Sequence, residues 1–277
     1  MRVKILGCSG GIGGGIGGGI GGGIGGGIGG GNEASPPLRT TSLLVDDDIL
    51  IDAGTGAGDL TLDAMAKIDH VFLTHSHLDH IACLPFILDS VGDLRGKPLT
   101  MHATRETQAI LQAHIFNWLI WPDFSQIPSV EKPFLRFNTI EVGQPVVIGQ
   151  RSFTALPANH TVPAVGYRLD NDVSKASMVF SGDTTVCDAL WEAVNRIPDL
   201  RYLIIESAFV NSELALAILS KHFCPSLLLS ELKKLHARPD IYVTHAKPGQ
   251  FEQIEREITQ GGDHRLSMLM AASVFEF

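Results

Sequence analysis

Three histidines and an aspartate fall within six positions, as His75, His77, Asp79 and His80 of the run Thr74-His75-Ser76-His77-Leu78-Asp79-His80. Imidazole nitrogens and carboxylate oxygens at this density are donors that zinc, manganese or iron accept, and no thiolate accompanies them. A structural zinc site usually recruits cysteines, so an open hydrolytic site is the better reading. Scattered surface histidines are the plain alternative. The four donors, however, follow the apolar run Val71-Phe72-Leu73, which reads as a buried strand delivering ligands onto a loop.

Further donors come later, each after a strand-like segment. His160 stands among turn residues beyond Ser152 to Leu156, and His245 follows Ile241 to Val243. Asp183 ends Met178 to Phe180 within Ser181-Gly182-Asp183-Thr184-Thr185; its small neighbours allow close approach, so this carboxylate suits a bridge between two ions. The next strand-like segment, Leu203 to Ile205, leads to Glu206, which is not counted among these donors. Loops at strand ends of an α/β protein are where such sites are built.

The elements that position these residues alternate between strand and helix. Val3 to Leu6 reads as a first strand, and Ser42 to Val45 with Ile49 to Ile51 forms a hairpin around Asp46-Asp47-Asp48, a solvated turn rather than a metal site. Helices are expected over Asp59 to Lys67, Ile81 to Leu88, Arg105 to Phe116, Glu213 to Lys221 and Pro225 to Leu235, with Gln250 to Thr259 as the closing helix. Leu99 to His102 and Pro145 to Ile148 add strands, and Ile241 to Val243 is expected as the last strand of the sheet. Residues 117–137, with Trp118, Trp121, Phe124, Phe134 and Phe137, read as an irregular aromatic cap. Its aromatics suit covering a substrate base, a homodimer contact or core packing.

From Gly10 to Gly31 a Gly-Gly-Gly-Ile unit repeats. A four-residue period would stripe one helix face, but each glycine costs about 1 kcal/mol against alanine in a helix, so a low-complexity loop is expected. Gly13, Gly15 and Gly18 satisfy G-x-G-x-x-G by composition alone, without the helix that dinucleotide binding needs.

The 277 residues fit one α/β domain over 1–277. A net charge of −9 excludes the general basic field of a protein that lives on phosphate backbones, although a small anionic substrate fits a site whose metals supply their own positive charge. Cys8, Cys83, Cys187 and Cys224 are scattered without a C-x-x-C pair, which suggests reduced thiols in the cytoplasm. The apolar stretch of the first eight residues is too short for a signal peptide, and no segment reaches membrane-spanning length without charges, so a soluble protein without a membrane partner is expected.

The run Thr74 to His80 resembles the signature of the metallo-β-lactamase fold, whose members mostly hydrolyse esters with one or two metal ions. That resemblance implies an α/β four-layer αββα sandwich. It matches His75, His77 and His160 to the ligands of one ion, Asp79, His80 and His245 to those of the other, and Asp183 to the carboxylate bridging both. It gives Asp52 the role of supporting a metal-binding histidine. Two ions about 3.5–4 Å apart would hold a bridging hydroxide and clamp the attacked phosphate, with Asp79 orienting the hydroxide. Zinc is the expected metal, with manganese and iron as alternatives.

Asn159-His160-Thr161, Ser181-Gly182-Asp183-Thr184, Ser220-Lys221-His222-Phe223-Cys224-Pro225 and Thr244-His245-Ala246-Lys247-Pro248 together resemble the class II cyclic-nucleotide phosphodiesterases. The resemblance implies hydrolysis of 3′,5′-cyclic AMP or GMP to the 5′-monophosphate. His222 would be the general acid for the leaving 3′-oxygen, oriented by Glu206, and Thr161 and Lys247 would contact the substrate phosphate. The bland readings are a helix-capping histidine for His222 and solvated side chains for the other two. Dimerisation is common in that family. The tRNA 3′-processing endonucleases of the same fold are the alternative. They carry a basic arm, whereas the cap here sets Lys132 and Arg136 against Asp123 and Glu131, so nucleic acid is not the expected partner. A third reading is a metal-binding protein whose site the glycine repeat obstructs.

Overall fold

Alternation of buried and exposed residues along the first strand, with Val3 and Ile5 inward and Arg2 outward, shows how the sheets are laid down. A computed structural model describes residues 1–13, 38–261 and 266–277. Most of the glycine repeat, from residue 14 onward, lies outside the described residues. The strands, numbered along the chain, form two seven-stranded sheets among the described residues. The first runs β14 (Val274–Glu276), β1 (Arg2–Gly7), β2 (Ser42–Val45), β3 (Ile49–Ile51), β4 (His70–Phe72), β5 (Leu99–Ala103), β6 (Leu135–Thr139). The second runs β13 (Leu266–Met268), β12 (Asp240–Thr244), β11 (Leu200–Glu206), β10 (Ser177–Phe180), β9 (Val165–Asn171), β8 (Arg151–Pro157), β7 (Pro145–Ile148). In each sheet one end pairs antiparallel and the other parallel: β3 through β6 in the first, β10 through β13 in the second.

Three apolar layers separate the elements. Phe72, Phe153, Tyr167, Met178, Phe180 and Ile204 fill the space between the sheets. Outside the first sheet, Val71 and Leu73 meet α3 (Leu84–Val91) and α4 (Arg105–His114) through Ile87, Leu88 and Leu111. Outside the second, Leu203 and Ile205 meet α5 (Asp188–Val194), α7 (Pro225–Glu231) and α8 (Phe251–Gln260) through Trp191, Leu228 and Ile254. The result is the expected four-layer αββα order. Strands buried on both faces explain why these segments read as continuous apolar runs rather than alternating ones. Phe72, fully buried and stacked on Phe153 with centroids 4.5 Å apart, contributes roughly 1.5–3 kcal/mol by burial alone.

Several elements differ from expectation. The helix expected over Asp59 to Lys67 is a 3-10 turn, Thr55–Asp59, followed by the short α1 (Leu62–Met65). Leu60 is extended and Thr61 caps α1, accepting a hydrogen bond from the Ala64 amide, so the hydroxyl starts a new helix instead of continuing an old one. The helix over Ile81 to Leu88 is divided into α2 (Leu78–Ile81) and α3, with Pro85 in the first turn of α3, where its missing N–H costs nothing. Ile241 to Val243 is not the last strand: β13 and β14 follow and complete the edges. β9, from Val165, and α5 are additions to the elements expected from the sequence.

The cap ends early, because residues 135–137 open β6. Phe124 is buried, and Trp121, Phe134 and Phe137 rest on the same layer as α3 and α4, which is core packing. Trp118, Leu119 and Ile120 remain exposed. The aspartate trio does form the hairpin turn, but Asp46 and Asp48 accept hydrogen bonds from Arg151 instead of lying free in solvent. Among the described residues no single helix is long and apolar enough to cross a membrane.

Candidate metal centre

The loop that carries His75, His77, Asp79 and His80 is anchored by a residue far from it in sequence. Asp52, fully buried and left-handed at φ 56°, follows β3. It accepts the Thr74 amide at 2.8 Å on Oδ1, and the Thr74 hydroxyl at 2.8 Å on Oδ2. His80 Nδ1 meets the same Oδ2 at 2.7 Å. Since the Thr74 hydroxyl proton goes to Asp52, its oxygen is left to accept from His75 Nδ1 at 3.0 Å. Both histidines are thereby held by Nδ1 and present Nε2. Asp52 makes the contact to His80 that the supporting role implied by the resemblance requires, whereas nothing in the sequence marks Thr74, because a hydroxyl inside a histidine-rich run carries no signal of its own.

The remaining donors arrive from the second sheet. Asp183 follows β10 after Gly182, whose φ of 58° and approach to Thr74 and the Val165 carbonyl leave no room for a side chain. His160 lies in the loop from β8 to β9, and His245 follows β12 at a left-handed φ of 69°. Strain of this kind is held where surrounding structure over-determines it. The His245 amide donates to the Cys8 carbonyl, and the Gly10 amide donates to the Ala246 carbonyl, so the start of the glycine segment borders the loop of His245.

The seven side chains converge as two groups of four sharing Asp183: His75, His77, His160 and Asp183, then Asp79, His80, Asp183 and His245. Within each group the donor atoms lie within 4.8 Å of one another. Nε2 of His75, His80 and His245 stand 3.6, 3.3 and 3.2 Å from the Asp183 oxygens. All three nitrogens are buried without a hydrogen-bond partner. Orphaned polar atoms are rare in folded proteins, and a divalent cation would satisfy all three at once. Five imidazoles and two carboxylates are a fitting donor set for such an ion.

Electrostatics agree for most of the set. Burial, and the positive charge of neighbouring imidazoles, push His75 well below its ordinary value and His245 down to about 3. Burial also brings His160 down to about 4. Burial works against the Asp183 carboxylate, but His245, His80 and His75 hold it well below the usual range. His80 runs the other way: burial lowers it, yet Asp183 and Asp52 raise it well above its ordinary value. Without a metal, these carboxylates favour the protonated form of His80, and a cation bound there would compete with that proton.

A second pair borders this centre. His222 Nδ1 lies 2.7 Å from Glu206 Oε1, and Glu206 also accepts the amides of Thr184 and Phe223 at 3.0 and 3.2 Å. Burial disfavours the His222 imidazolium, but Glu206 and Asp183 carry it net above its usual value. Its ring stands 4.9 Å from that of His160 and 5.3 Å from that of His245. With Nδ1 engaged, Nε2 is the nitrogen free to exchange a proton. Thr161 is exposed beside His160. Lys247 is less available than expected, since its Nζ donates to the Gly10 carbonyl at 2.8 Å.

The family profile of the beta-lactamase superfamily domain matches residues 47–246. A probable 3′,5′-cyclic-nucleotide phosphodiesterase of Yersinia pestis is 28% identical over 243 residues, spanning 74% of this chain and 66% of that protein. A ribonuclease Z of Staphylococcus epidermidis is 28% identical over 120 residues, 41% of this chain and 35% of that one. The crystal structure of unliganded yeast PDE1 superposes with a TM-score of 0.74 at 18% identity, covering 99% of this chain and 98% of the other.

Proposed function

From the premise that this chain belongs to the beta-lactamase superfamily, we propose that it is a metal-dependent phosphodiesterase that hydrolyses 3′,5′-cyclic nucleotides to 5′-monophosphates. The observation that carries this reading is the Glu206–His222 pair set beside the seven converging donors. A charge-poised acid next to a cation site is what cleavage of an alkoxide leaving group from phosphorus requires. The relation to the Yersinia pestis phosphodiesterase supports the same substrate class.

His75, His77 and His160 would hold one divalent ion, and Asp79, His80 and His245 a second, with Asp183 between them. When bound, these ions, zinc in our assignment, supply an activated water and positive charge for the phosphate. Asp79, a quarter exposed at the mouth of the site, accepts a hydrogen bond from the attacking water and orients it. The water oxygen, its proton lost to solvent, bonds to phosphorus as the P–O3′ bond breaks, and His222 Nε2 gives its proton to the departing 3′-oxygen. Glu206 favours the protonated form of that imidazole and orients its ring through Nδ1. Thr161, exposed beside His160, is proposed to touch the phosphate. Lys247 is proposed for the same role, which requires it to exchange its Gly10 partner.

The test is hydrolysis of cyclic AMP by the purified, metal-loaded protein, with the product identified by chromatography. Metal-dependent release of 5′-AMP is expected. No release despite two bound metals would move the assignment to the tRNA 3′-processing reading, which the relation to ribonuclease Z favours, or to a site obstructed from the glycine segment that borders His245.

A further inference from the structure

One residue outside the donor set holds His160 from two directions. Lys221 ends α6 (Leu214–Ser220) in a left-handed conformation, φ 54° and ψ 51°. That turn aims its carbonyl oxygen at His160 Nδ1, 3.1 Å away. Its side chain then folds back, and Nζ donates to the His160 carbonyl oxygen at 3.0 Å. The first contact fixes the ring: with Nδ1–H donating to a carbonyl, Nε2 keeps its lone pair and is turned to the donor cluster, 3.2 Å from His77 Nδ1 and 3.9 Å from Asp183. The second contact fixes the backbone that carries the ring.

A left-handed residue closing a helix is usually glycine, because any Cβ is strained there. Lysine accepts that strain, and helix capping alone gives no reason for it to do so. The reason the geometry offers is the ammonium, which glycine lacks. The next residue in the chain is His222, whose ring stands 4.9 Å from that of His160.

We infer that Lys221 is a positioning residue that locks His160 and His222 into one unit, so that the proton donor is fixed relative to the cation site. The inference rests on the reading of His160 as a ligand and His222 as the acid given above. A purely structural Lys221 would cap α6 and do no more.

The experiment compares the 277-residue chain with Lys221→Gly, Lys221→Met, Lys221→Arg and His160→Ala. It reads zinc affinity by competition with a chromogenic chelator, thermal midpoint, and kcat and KM for cyclic AMP. Lys221→Gly is expected to hold or raise the thermal midpoint, because backbone strain is relieved, while weakening zinc at one site about tenfold and lowering kcat about tenfold with little change in KM. Lys221→Met should weaken zinc and kcat similarly, and Lys221→Arg should restore both to within about twofold. Loss of a cation beside a dication would by charge alone tighten zinc, so weakening carries the sign of lost positioning. Unchanged zinc affinity and kcat in the Gly and Met variants overturns the inference. His160→Ala separates the two levels of failure. If that variant binds zinc normally, the ligand reading has failed and the inference falls with it. If zinc is lost there but no protein hydrolyses cyclic AMP, only the substrate reading has failed, and the zinc series by itself decides for or against the clamp.

Discussion

His222 and His80 are both raised above ordinary histidine values by neighbouring carboxylates, yet the consequences for activity have opposite signs with pH. A general acid works in its protonated form, so turnover is full below the raised His222 value and falls as pH rises through it. Glu206→Gln removes the main charge that sustains the imidazolium, and the alkaline limb of kcat against pH should move to lower pH. His222→Ala should retain both metals and lose about 10²–10⁴ in kcat; a normal rate would remove it from the mechanism. At His80 the retained proton competes with the metal. Zinc uptake should therefore release a proton and weaken as pH falls, which calorimetry in buffers of different ionisation enthalpy measures directly. Asp183→Asn should lower metal content, because the two donor groups share that carboxylate.

At the scale of elements, the loop after β3 and the loop after β4 behave as one piece. Asp52 binds Thr74 and His80 across the gap, and a Cβ on Gly54 would meet the Asp79 carbonyl, the Thr40 hydroxyl and the Thr41 carbonyl. Gly54→Ala should cost about 1–3 kcal/mol of stability and reduce metal content together, read from denaturant midpoints and metal analysis. Loss of one without the other would show that the loops are not coupled. Apolar runs made β4 and β10, the strands before His75 and Asp183, legible, because their central residues are buried on both faces. Helix boundaries were less legible. Thr61 caps instead of continuing a helix, and Pro85 restarts one, and these choices depend on what the flanking residues touch.

For the whole molecule, the net charge of −9 bears on the choice between a small and a polymeric substrate. Cyclic-nucleotide hydrolysis should change little between 50 and 200 mM salt, whereas a protein making 6–10 phosphate contacts loses about 10³–10⁵ in affinity over that range. A steep fall in KM-dependent rate with salt would favour the endonuclease reading. The glycine repeat enters beside His245, so excising residues 14–31 tests obstruction. Unchanged zinc content is expected. A rise in turnover on excision would mean that the repeat hinders the site.

The histidine-aspartate run, the strand that delivers it, the alternation of strand and helix, and the later donors at strand ends are all readable from the sequence, because each is a matter of covalent spacing and local pattern. Only the tertiary structure decides that Thr74 relays between Asp52 and His75, that Nε2 is the nitrogen each buried histidine presents, that Lys221 grips His160, and that Lys247 is tied to Gly10. The edge strands β13 and β14 belong to the same class, since their partners lie elsewhere in the chain. The physical reason is common to all of them. A hydrogen bond between groups 22, 61 or 237 residues apart is set by which strands pair and in what register, and local sequence pattern does not specify that.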